Sequence, residues 1–155
     1  MKPPNNIKSQ SLGLLVYDYE DSSDRDILGL KKEIDHPAGK VAICFPDLDH
    51  ERSFNDWIAL IAKFDTTFEF LLPRIEEVKS EALDRVIKLH DEYFPDDADL
   101  PRKNEIWSSL KLESLNYYDD GAIGLWFPGK EYFHWLDLNI ELNTEWLIEE
   151  VRLDG

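Results

Sequence analysis

Few residues in this chain have the type and spacing to do chemistry. Asp47-Leu48-Asp49-His50 puts two carboxylates and an imidazole close together, a donor set that a divalent cation would accept. The same segment joins an apolar stretch to a helical one, where an acidic residue near a helix N-terminus is expected on stability grounds alone; no metal is assigned to it. The acidic runs 18–26 and 91–99 invite a calcium reading, but neither has the D-x-[DN]-x-[DN]-G core with a Glu at the twelfth position, so both read as solvated loops. The histidines, His36, His50, His90 and His134, are dispersed and form no H-x-x-x-H or H-E-x-x-H pair. Cys44, the single cysteine, excludes an intrachain disulfide and a multi-cysteine zinc site. Between Ile43 and Phe45 it reads as a buried, inert thiol. No nucleophile elbow, phosphate loop or dinucleotide-binding turn is present. No catalytic residue and no cofactor are assigned, and enzyme is the weaker class.

The stronger candidates suit binding. His134 lies in an aromatic knot formed by Trp126-Phe127, Tyr132-Phe133 and Trp135, and five tryptophans is a high number for this length. From Trp135 to Leu142 the chain alternates strictly: Leu136, Leu138, Ile140 and Leu142 point one way, Trp135, Asp137, Asn139 and Glu141 the other. That period of two predicts a strand with one face buried and one wet. An exposed tryptophan among acidic residues resembles a binding hot spot with a charged rim. The candidate binding residues are therefore Trp135, Asp137, Asn139 and Glu141, with His134 and Trp126. The blander reading makes His134 a packed, hydrogen-bonded histidine and covers the wet face with helices of the same chain.

The elements that must position these residues follow from patterning. Residues 1–11 read as a flexible tail and 12–155 as a single domain. Strands are expected at 12–19, 27–34 and 39–45, separated by polar turns. Asp49 or Ser53 then caps a helix through Phe54, Trp57, Ile58, Ile61 and Phe64, spaced three and four apart. The step Asp65-Thr66-Thr67 is expected to turn the chain into a second, antiparallel helix with Ile75, Val78, Ala82, Val86, Leu89 and Tyr93 inside. Pro73 is tolerable in a first turn and would kink a helix that began earlier. A short helical turn at 104–110 precedes strands at 111–118, 122–127, 132–142 and 145–153, with turns at Asp119-Asp120-Gly121, Pro128-Gly129-Lys130 and Leu142-Asn143-Thr144. The expected class is α+β: an antiparallel sheet of about seven strands packed on one face by a two-helix hairpin.

Charge narrows the partners. Thirty-three acidic against seventeen basic residues give a formal net charge of −16. Such a surface repels nucleic acid and anionic lipid and attracts basic proteins. No apolar run approaches the roughly 18 residues of a membrane span, and no signal-peptide core is present, so a cytoplasmic location is expected. The C-terminal third carries a resemblance. Leu110 to Leu115 spell Leu-x-Leu-x-Ser-Leu, followed by Tyr118-Asp119-Asp120-Gly121, an aromatic-rich strand, Phe133-His134, the leucine-alternating strand and a last strand ending in Asp154-Gly155. This is similar to a group of uncharacterised bacterial domains related to polymorphic-toxin immunity proteins. That group tends to carry a Gly-His pair where this chain has Phe133-His134, and no site residue is carried over from it. The resemblance implies a bacterial α+β protein that binds and neutralises a basic toxin domain without catalysis. The alternative function is a small ligand- or metal-binding protein with an aromatic pocket around His134. Partner identity and oligomeric state are not legible.

Overall fold

The structure, a computed structural model, describes residues 7–18, 29–36, 39–46, 52–97 and 103–154. The elements are β1 (Lys8–Ser9), β2 (Gly13–Leu14), β3 (Val16–Asp18), β4 (Gly29–His36), β5 (Gly39–Pro46), α1 (Phe54–Glu81), α2 (Leu83–Tyr93), α3 (Lys103–Ser109), β6 (Ser114–Tyr117), β7 (Ile123–Pro128), β8 (Asp137–Leu142) and β9 (Ile148–Asp154). The α+β class holds. Strands β3 to β9 form one sheet in sequence order, and β1 pairs with β2 in a separate ribbon.

The sheet is not wholly antiparallel, because β5 and β6 run parallel, Ile43 opposite Leu115. The three described α-helices lie between these two strands in sequence, and a parallel pair needs a long crossover connection of this kind. Alternation along each strand gives the sheet one apolar face. Ile43, Leu115, Leu125, Ile140 and Val151 stand in one row across it, and Phe127, Leu138 and Leu153 in another. The helices cover this face. Phe64 of α1 packs edge-on against Phe45 and Tyr117, with ring centroids 4.9 and 5.2 Å apart, and Trp107 of α3 meets Phe127 at 5.1 Å.

The expected helical hairpin is absent. One helix runs unbroken from Phe54 to Glu81, and only Ala82 separates it from α2. Ser53 is the cap that forms, accepting from the Asp56 amide while the Asp56 carboxylate accepts from the Ser53 amide. At the expected turn, the Thr66 and Thr67 hydroxyls donate to the Lys63 and Phe64 carbonyls at 2.7 and 2.9 Å, so the polar side chains serve the helix instead of breaking it. The apolar stripe then continues through Leu71, Ile75 and Val78, with Pro73 on the exposed side of the helix interior.

The chain is docked from Ile7 onward, against the expectation of a flexible tail through residue 11. Ile7 is fully buried, and the Asp65 carboxylate accepts from the Ser9 hydroxyl and from the amides of Gln10 and Ser11. The segment Asp47-Leu48-Asp49-His50 and most of the acidic run 18–26 lie outside the described residues. Among the described residues, no helix is long and apolar enough to cross a membrane.

Candidate functional site

The sheet face opposite the helices holds four of the six candidate residues. Register puts Trp126 beside Asn139, Gly124 beside Glu141 and Pro128 beside Asp137, and carries each row on to Arg152, Glu150 and Asp154 of β9. The face is accessible: only Gly29, Pro46, Gly124 and Asn139 among its residues on β4–β9 are buried. Six carboxylates, Glu33, Asp35, Asp137, Glu141, Glu150 and Asp154, stand on it with three cations, Lys31, Lys40 and Arg152.

Arg152 is the electrostatic centre of this face. Its guanidinium donates to Asp154 at 3.2 Å, Glu150 at 3.1 Å and Glu141 at 3.4 Å. Burial pushes the Glu141 carboxyl above its usual range, with Arg152 pulling the other way. Gly124 makes the space Glu141 uses. A Cβ at that position would lie 3.3 Å from both Glu141 oxygens and 3.0 Å from the Tyr118 hydroxyl. That hydroxyl accepts from Asn116 at 3.5 Å and is itself pushed up by burial. The buried Asn139 side-chain oxygen has no hydrogen-bond partner among the described residues.

Toward β4 the same face dips into a depression of about 280 Å³ lined by Lys31, Cys44, Ser114, Asn116, Trp126 and their neighbours. Cys44 is thus half-buried on the open face, not sealed in the core with Ile43 and Phe45 as its flanking residues suggested. A strand alternates its faces, and the apolar neighbours in sequence are the ones pointing away.

His134 and Trp135 are not on this face. The expected strand 132–142 starts only at Asp137. Residues Lys130–Phe133 form a 3-10 turn, and His134 and Trp135 follow in left-handed backbone at φ 51° and 69°. Gly129 permits the loop: a Cβ there would strike the Leu136 carbonyl oxygen at 2.1 Å. Trp135 therefore leaves the alternation and stands 71% exposed. The His134 ring stacks on Phe94 at 4.0 Å, and its Nε2 bonds Asp97 at 2.8 Å, tying the loop to the end of α2. The depression lined by Trp126 includes neither His134 nor Trp135.

His134 is thus stacked and hydrogen-bonded while partly exposed, and His90 packs deeper in the molecule. His90 is fully buried and stacks flat on Tyr132 at 4.1 Å, and the Tyr132 hydroxyl is pushed up to about 12 by burial and by Asp91. Both His90 Nε2 and the Tyr132 hydroxyl lack partners among the described residues. Arg152 and Gly124 were missed as parts of the site. Their signal was register, since each lies directly opposite a candidate residue of β8. Among the described residues, no group of three or more His, Cys, Asp or Glu side chains could hold a metal ion. No family model matches the chain, and no curated protein or solved structure matches it.

Proposed function

We propose that this protein is a non-enzymatic protein-binding module of the immunity type, which holds a basic partner, such as a toxin domain, against the open face of its sheet. The observation that carries this reading is the one-sided fold. Helices α1 and α3 pack on the apolar face, and the other face presents Trp126, Asp137, Asn139 and Glu141 with twice as many carboxylates as cations. A net charge of −16 steers a cationic protein toward such a surface, and the tryptophan beside the depression supplies the apolar contact that charge alone lacks. Blockade of a basic toxin needs shape and charge and no catalytic group.

Affinity purification of the tagged protein from its native host, at low and high salt, tests the reading. A basic protein retained at low salt, shed as salt rises and lost when Trp126→Ala is combined with Glu141→Gln supports it. A partner whose retention is indifferent both to salt and to those substitutions refutes it. Where the captured partner is toxic when expressed alone, co-expression with this protein should relieve the toxicity.

A further inference from the structure

Away from the open face, the molecule has a second exposed aromatic surface, and its chemistry is more specific. Trp135 is 71% exposed and Tyr93 56%. They belong to one corner: the Tyr93 and Phe94 rings lie 6.3 Å apart, Phe94 stacks on His134, and Trp135 is the next residue. The indole of Trp135 has no hydrogen-bond or ring partner among the described residues, although its backbone is held firmly. The Trp135 amide donates to the Lys130 carbonyl at 2.7 Å, and the Leu136 amide to that of Phe133 at 2.9 Å. Left-handed backbone is costly for a large aromatic residue. Here it holds the backbone of Trp135 in place with the indole out in water. The adjoining carboxylates are Asp97, bonded to His134, with Asp96 and Glu131 exposed nearby in sequence on the same two segments.

An exposed indole face beside carboxylates is the arrangement that a guanidinium satisfies with both of its properties. Its plane stacks on the ring while its N–H fork donates to a carboxylate. A lysine ammonium is compact and strongly hydrated and makes the second contact without the first to the same degree. We infer that the His134–Trp135 corner anchors an arginine side chain of the basic partner. This rests on the proposed function and adds a residue type and a place to it.

The test uses two short peptides of equal charge, one alternating glycine with arginine and one glycine with lysine. Each is titrated into the full-length protein while the tryptophan indole N–H resonances are followed by NMR. The expected result is that the arginine peptide binds more tightly than the lysine peptide and shifts the Trp135 resonance in a saturable way. Its affinity should fall by about fivefold with Trp135→Ala and recover in part with Trp135→Phe, which keeps a ring face. Phe70→Ala, which removes an equally exposed aromatic from α1, should leave the affinity unchanged. If both peptides bind wild type and Trp135→Ala alike, the anchor is overturned and the acidic-surface reading stands. If neither peptide binds wild type at low salt, both are overturned.

Discussion

Replacing Arg152 by Met separates the charge of the open face from its shape. The guanidinium is 38% exposed and its three carboxylate partners range from 20% exposed for Glu141 to 56% for Glu150, so solvent screens most of the attraction. The exposed pairs contribute a few tenths of a kcal/mol each. Glu141 decides the magnitude, since losing its counterion leaves a largely buried carboxylate. We expect a total loss of about 1–2 kcal/mol at neutral pH. The sign with pH follows from the direction of the Glu141 shift. Its folded pKa is already raised by burial, so its contribution to stability is present below the ordinary carboxylate value and is lost as pH rises through the folded one. Removing Arg152 raises the folded value further. The deficit of Arg152→Met relative to wild type should therefore be small near pH 3.5 and open toward pH 7, as measured by urea unfolding at both. Binding should move the other way. With the internal cation gone, Glu141, Glu150 and Asp154 are free to take cations of a partner, and a basic peptide should bind more tightly than it does to wild type. A deficit equal at both pH values would show that Arg152 acts through packing. Weaker peptide binding would show that it contacts the partner itself, and either result refutes the reasoning.

Three further substitutions test the frame of the site. Asp65→Ala removes the acceptor for the Ser9 hydroxyl and the Gln10 and Ser11 amides and should cost about 2 kcal/mol. Its loss of hydrogen-exchange protection should be confined to residues 7–15, and an equal loss in β7 and β8 would contradict a locally docked ribbon. Pro73→Ala gives the interior of α1 back an N–H for the Glu69 carbonyl and should raise the melting temperature, with a gain of about 1 kcal/mol or more. An unchanged value would mean that the helix already bends to suit the proline. Gly124→Ala forces the Tyr118 hydroxyl and the Glu141 carboxylate to give way by a few tenths of an ångström and should cost about 1 kcal/mol by thermal unfolding. A neutral result would show that Glu141 has room that the present packing denies it.

Much of this molecule was legible because half-buried strands and amphipathic helices write their geometry into period. The face shared by Asp137, Asn139 and Glu141 followed from alternation alone, and register then added Trp126 from the neighbouring strand. Trp135 was misplaced because its apparent place in the alternation lay at the strand's end, where one left-handed residue is enough to end the pattern without altering it. The bond of His134 to Asp97 joins residues distant in sequence and has no local signature. The helical hairpin was misread at Asp65-Thr66-Thr67, where three polar residues suggested a turn although the stripe ran on from Phe64 to Leu71 with neither glycine nor proline between them. That misreading hid the parallel pairing of β5 with β6. The helical excursion that leaves from β5 and returns beside it as β6 gives the chain the length a parallel pair needs and puts α1 and α3 on one side of the sheet. The antiparallel connections on either side add no described α-helix that could cover the second face. The openness of the face that carries Trp126, Glu141 and Arg152 is therefore a consequence of topology, and a partner that covers it would supply the layer that the chain's own order of elements withholds.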